Sequence, residues 1–401
     1  MYEPFPGNYV WNLSVNLAIC MGGAMGEMDR ANQAVRAIAA EGEDKGTEAF
    51  FESWGAMADR LVALGEEAEA AGHGRSASEK YARATAYYMT AERMQSRNYA
   101  PRWDMYRKML DTMDRAIKVG DLQCKRVEIP YEGTSFPALF VPGEGEGPRP
   151  CMVFCNGLDS VKEMIYLSVR DTFAVRGISV LMVDQPGVGE ALRLKGLAAI
   201  PDSERWAGAA IDYLEMRADV DPERIGMMGW SLGGYYAPRA ACYEKRFKLC
   251  VSWGANHDWG ELQRRRLARE GDRPVPHYWD HVMWVWGQQD LYAFMDFVPQ
   301  VTMNGHMQKM TVPYLITHGA NDRQIPLEYA HMSYDQAVNS PLRELRFFTN
   351  REGGVEHVSA DNMEPVRSYI ADWVADRFAE MKVTDATPVD NQLAVDQAGN
   401  G

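Results

Sequence analysis

Apolar residues in the first third of the chain recur at three- and four-residue spacing. Phe50, Trp54, Met57, Leu61 and Leu64 share one face of a helix. A turn follows at Ala71-Gly-His-Gly74, where His73 reads as a surface residue. Ser76-Ala-Ser-Glu79 then has the form of a capping box, and Tyr81, Ala84, Tyr88, Ala91 and Met94 repeat the helical period. No second copy follows at a fixed period, which speaks against a repeat array. The pattern predicts a helical region over residues 1–120, either a structural layer or a cap over a site.

From about Asp121 the pattern changes to short apolar runs alternating with helical stretches. Residues 126–131 and 136–141 read as a hairpin. Further strands are expected at 151–155, 178–183, 225–228, 249–253, 312–317 and 342–348. Helices are expected at 163–175, 203–217, 233–243, 327–338 and 361–381. Near-continuous apolar strands separated by helices specify a mostly parallel sheet covered on both faces, hence an α/β core over 121–382. One interval breaks the rhythm. Residues 256–310 form an insertion crowded with aromatic side chains, including Trp259, Trp284 and Trp286, and a connection of that length reads as a lid. The polar stretch 383–401 lacks periodicity and reads as a disordered tail.

Charge and cysteine use narrow the function. Lys plus Arg number 42 against 56 Asp plus Glu, a net charge of −14, which disfavours nucleic acid and anionic membranes as partners. Six scattered cysteines without a CxxC pair fit a reducing, cytoplasmic setting rather than a disulfide framework or zinc ribbon. The apolar stretch 9–25 has no cationic start and is broken by Asn12, Ser14, Asn16 and two glycines. It reads as neither a signal peptide nor a membrane span. No HExxH or clustered His/Asp spacing points to a metal. Gly187-Val-Gly189, after Asp184-Gln-Pro186, lacks the third glycine of a dinucleotide fingerprint. No cofactor is expected.

The chemistry concentrates at Gly229-Trp-Ser231-Leu-Gly233-Gly234, a GxSxG pattern between an apolar strand and a helix. Such a turn is tight enough to require small residues two positions either side of the serine. A serine nucleophile needs a base, and the base needs a carboxylate that fixes its tautomer. Asp322 follows the strand 312–317 and His357 follows the last strand, so Ser231, Asp322 and His357 stand in the chain order of an α/β-hydrolase. His318 reads as support for its loop. His257, His277, His281 and His306 read as packing or surface residues of the insertion. An oxyanion hole is expected from the backbone N–H groups of Leu232 and Leu158, with Gly157 allowing close approach. Trp230, Trp253, Trp259 and Trp284 are candidates to line an aromatic-friendly substrate pocket.

The GWSLGG turn, the loop Asn156 to Met164, the HGAND and EHVSADN segments and the helical N-terminal third resemble one branch of the α/β-hydrolases. That branch includes 2,6-dihydroxypseudooxynicotine hydrolase, fungal enzymes that shorten heptaketide chains, and fermentation-respiration-switch-like proteins. The resemblance implies a helical cap, homodimers, and hydrolysis of a carbon–carbon bond next to a ketone in an aromatic or polyketide-like small molecule. It also implies a substrate-handling role for an acidic loop residue, here Asp159, which is shorter than the family's Glu. Asn156 stands where relatives carry glycine or histidine. A carboxylic-ester hydrolase with the same three residues is the alternative, and a non-catalytic binding protein on this fold a more remote one.

Overall fold

The computed structural model describes residues 1–384. Eight strands form one sheet: β1 (Lys125–Tyr131), β2 (Thr134–Val141), β3 (Arg149–Cys155), β4 (Ser179–Val183), β5 (Val220–Trp230), β6 (Cys250–Trp253), β7 (Tyr314–Gly319) and β8 (Arg343–Phe348). Their order is β1-β2-β4-β3-β5-β6-β7-β8. The β1–β2 hairpin is antiparallel, and β2 runs antiparallel to β4. All remaining pairs are parallel. This is the α/β-hydrolase fold. Each short apolar run predicts its strand because a strand buried on both faces has no polar side to alternate with.

Side chains alternate between two apolar clusters. Met152 and Phe154 of β3 join one cluster with Val180, Met182, the N-terminal helices and the C-terminal helix Glu364–Thr384. Cys151, Val153 and Cys155 join the other, with helices Glu204–Glu215 and Gly233–Tyr243 and the insertion. The N-terminal helices therefore share a continuous core with one face of the sheet. Their first helix, Tyr9–Cys20, is buried along most of its length. Its asparagines and serine are satisfied inside: the Asn12 amide exchanges two 2.9 Å hydrogen bonds with the Phe5 backbone, and Ser14 Oγ donates to Val10 O. No helix among the described residues is long and apolar enough to cross a membrane.

Helix Thr47–Ala70 buries Phe50, Trp54, Met57 and Leu61, but Leu64 turns to solvent. Gly65 takes the inward position instead, where an added Cβ would lie 2.4 Å from the Tyr81 ring. The capping box does not form. The next helix, Gly74–Arg93, starts two residues before Ser76, with His73 at its N-cap and no side-chain cap bond. Close approach to helix Pro101–Gly120 decides this: a Cβ on Gly74 would lie 2.4 Å from Val119 O, and Ser78 Oγ donates to Ala116 O at 2.7 Å. The expected helix 163–175 is shorter, Lys162–Val169, ending at Arg170 with φ 32°. Helix Glu364–Thr384 runs to the end of the described residues and takes in Val383 and Thr384, the first two positions of the expected tail; the rest of that tail lies outside the described residues.

Candidate active site

The turn after β5 is set by steric exclusion. Ser231 sits at φ 56°, a left-handed conformation that a non-glycine residue adopts only when its surroundings enforce it. A Cβ on Gly229 would lie 2.4 Å from Gly233 O, and one on Gly234 would lie 1.9 Å from Gly254 O. Only glycine lets β5, the following helix and the loop after β6 meet this closely. Ser231 N–H donates to Trp253 O at 3.0 Å, fixing the turn to the neighbouring strand.

Two further loops bring their side chains to the same sheet edge. His357 Nε2 lies 2.9 Å from Ser231 Oγ, and its Nδ1 lies 3.1 and 3.0 Å from the two carboxylate oxygens of Asp322. The carboxylate holds the proton on Nδ1 and leaves Nε2 to accept from the serine hydroxyl. Asp322 is itself fixed by N–H groups of Gln324 and Ile325, at 2.7 and 2.9 Å. Burial raises the Asp322 pKa, but the adjacent His357 outweighs it with help from His318 and the Ile325 N–H. The carboxyl is held below its ordinary value. His318 Nε2 bonds Ile325 O at 3.1 Å, so it braces this loop. The His357 loop is pinned by Asp361, whose carboxylate accepts the N–H groups of Gly354, Val355 and Glu356.

Gly157 packs against Ser231, where a Cβ would lie 2.8 Å from the serine Cβ. Its N–H is taken by Ser160 Oγ at 3.0 Å. The N–H groups of Leu158 and Leu232 have no acceptor among the described residues. A cavity of about 30 Å³ touches Ser231 and His357 and is bounded by Leu13, Leu17, Arg93, Gly157, Asp159, Ser160, Met164, Trp230, Pro274 and Val358. A larger cleft of about 660 Å³, near Asp44, Thr47 and His277, does not reach Ser231.

The candidate substrate residues separate. Trp230 and Asp159 border the cavity. Trp253 does not; it packs edge-on against Trp230 at 6.0 Å and donates from Nε1 to Ser359 Oγ. Trp259 is buried against Trp286 and Phe294 in the insertion's own core. The guanidinium groups of Arg102 and Arg193 lie 5.1 and 5.6 Å from the Trp284 ring centroid, and the ring is edge-on to Trp103. The aromatic insertion thus spends these two rings on packing, because large flat side chains are what a short helical segment needs to build a core.

Sequence reasoning did not find Arg93. This buried residue donates to Asp159 Oδ2 from Nε at 3.0 Å and from Nη2, and to Ser14 Oγ from Nη1. Leu13 and Leu17 were also missed; the signal was the run of Asn12, Ser14 and Asn16 among apolar residues, the mark of a helix buried on every side. No group of three or more potential metal ligands occurs among the described residues.

Residues 55–259 match the family model described as Esterase FrsA-like, and residues 207–378 match that of the prolyl oligopeptidase family. The chain is 28% identical to Hydrolase acrC of Aspergillus aculeatus, over 78% of this chain and 84% of that one. It is 25% identical to 2,6-dihydropseudooxynicotine hydrolase of Paenarthrobacter nicotinovorans, over 82% of this chain and 84% of the relative. The crystal structure of the 2,6-dihydroxy-pseudo-oxynicotine hydrolase superposes with a TM-score of 0.75 at 23% identity, covering 91% of this chain and 96% of that one.

Proposed function

Because the chain belongs to the Esterase FrsA-like family, and is an α/β-hydrolase, we propose that it is a serine hydrolase acting through Ser231, His357 and Asp322. The observation that carries this reading is the hydrogen-bonded relay from Asp322 to His357 Nδ1, and from His357 Nε2 to Ser231 Oγ. His357 takes the Ser231 proton as Oγ adds to a substrate carbonyl carbon. The N–H groups of Leu232 and Leu158 hold the resulting oxyanion. Collapse breaks the bond to the leaving group, and His357 returns the proton to it. Water, activated by the same imidazole, then releases the acyl group from Ser231.

The preferred substrate is an aromatic or polyketide-like ketone cleaved at the adjacent carbon–carbon bond, where the departing electron pair is delocalised as an enolate. Relatives named for a pseudooxynicotine substrate support this. The family description as an esterase favours a second reading, a carboxylic ester as substrate. Asp159 and Trp230, at the cavity wall, are proposed to contact the substrate. Leu13, Leu17 and Pro274 cover a space of only about 30 Å³, so an aryl substrate enters only after this cover moves. The helical region over 1–120 and the insertion are read as that cover. A homodimer is proposed from the family resemblance alone. Six free cysteines support a reducing, cytoplasmic setting.

Matched aryl ester and aryl β-diketone substrates separate the two readings. Comparable or faster diketone cleavage is expected. Ester turnover faster by several orders of magnitude would assign the protein as an esterase.

A further inference from the structure

The serine-hydrolase reading needs a backbone donor from the segment between β3 and the helix that starts at Lys162. We propose that Asp184 and Gln185 are positioning residues that hold this segment so that the Leu158 N–H is aimed at the oxyanion. The inference rests on that reading and adds two residues to it.

The segment is clamped at both ends by side chains at the end of β4. At its start, the Gln185 amide pairs with the Asn156 backbone in both directions: Oε1 accepts from Asn156 N at 3.1 Å, and Nε2 donates to Asn156 O at 3.0 Å. Asn156 Nδ2 donates to Val183 O at 2.8 Å and lies 3.5 Å from Asp184 Oδ1. At its end, the same Asp184 Oδ1 accepts from Lys162 N at 2.8 Å. Asn156, Lys162, Asp184 and Gln185 are all fully buried. Bonds there do not compete with water and hold their geometry.

Asp184 Oδ2 accepts from Glu190 N at 3.0 Å and from Lys162 Nζ at 3.1 Å. This arrangement explains the second glycine of Asp184-Gln-Pro-Gly187-Val-Gly189, while Gly187 is hemmed in by Ala199. Gly189 has φ 50°, and a Cβ there would lie 1.9 Å from Asp184 Oδ2. Gly189 lets the Asp184 carboxylate reach across to the loop after the neighbouring strand. Inside the clamp, Ser160 Oγ takes the Gly157 N–H and also accepts from Trp230 Nε1 at 3.0 Å. His281 Nε2 contacts Leu158 O at 3.3 Å. The Leu158 N–H is left free in the middle of a segment held at both ends, which is the condition for a preorganised donor.

The test uses the full chain with Gln185→Met and Asp184→Asn and three readouts besides melting temperature. These are kcat and KM on an activated aryl ester, Ki for an aryl trifluoromethyl ketone, and Kd for the corresponding secondary alcohol. The ketone forms a hemiketal: Ser231 Oγ bonds to the carbonyl carbon, the C=O pair moves to oxygen as an oxyanion, and the serine proton passes to His357. The alcohol cannot. In Gln185→Met, kcat/KM and ketone affinity should fall together by about tenfold to a hundredfold, the effect of misplacing one oxyanion donor. Alcohol binding should stay near wild type, while the melting temperature falls by a few degrees because the buried Asn156 N–H and C=O lose their partner. Unchanged ketone affinity, or an equal fall in ketone and alcohol affinity, would overturn the proposal. Should Asp184→Asn not fold, Gln185→Met decides alone, since it leaves the buried charges intact. A wild-type enzyme indifferent to the ketone, with Ser231→Ala still active, would instead defeat the parent reading.

Discussion

The turn carrying Ser231 and the loop Asn156–Lys162 meet across Gly157, yet they are held by different physics. The turn is shaped by exclusion: Gly229, Gly233 and Gly234 leave no room for a side chain between the packed backbones. The loop is fixed by buried polar bonds, above all the Lys162 ammonium among Asp184, Glu163 and Glu190. A steric device depends on volume and ignores pH. A polar device depends on every partner being present, because a buried charge left alone is far more costly than the pair is stabilising.

Removing the centre of the polar device should have the largest effect. Lys162→Met leaves Asp184, Glu163 and Glu190 crowded in a buried space, with Arg126 still paired to the two glutamates, and denaturant unfolding should show a loss of about 3–5 kcal/mol. A neutral result would mean that the loop is held mainly by packing. The steric device comes next. Gly234→Ala pushes a Cβ into Gly254 O, and overpacking against backbone should cost about 3 kcal/mol. That loss should be the same at pH 5 and pH 8, since no titrating group is involved.

The smallest effect concerns pH. Burial, with Arg102 nearby, lowers His281 to about 4, and this ring contacts Leu158 O. Its folded pKa lies below the unfolded value of 6.5, so the unfolded chain binds the proton first as pH falls. The penalty is absent above pH 6.5 and grows toward pH 4, reaching about 2 kcal/mol at pH 5. His281→Asn should flatten the melting-temperature profile over that window. An unchanged slope would detach His281 from the loop's stability.

The same contrast governs what could be read from the chain. Steric exclusion writes itself locally: glycines two residues either side of Ser231, between an apolar strand and a helix, mark the turn in the amino-acid sequence itself. The strands were equally legible, since runs such as Cys151–Cys155 have no polar face to mislead. Long-range packing leaves no such mark. Arg93 meets Asp159 only because the N-terminal helices share a core with the sheet, and the spacing of Ser76 and Glu79 could not reveal that Gly74 and Gly120 would bring two helices together. Composition also cannot tell a pocket from a core, which is why Trp259 and Trp284 read as substrate candidates and sit in packing positions. Ser231, His357 and Asp322, far apart in the chain, lie within hydrogen-bond reach.

The most direct test of that proposal is rapid-quench intact-mass analysis with an activated aryl ester. The account predicts a burst of one equivalent of the released phenol and an acyl mass increase that peptide mapping places on Ser231, both abolished in Ser231→Ala. A burst with the label on another residue, or steady turnover undiminished in Ser231→Ala, would contradict it.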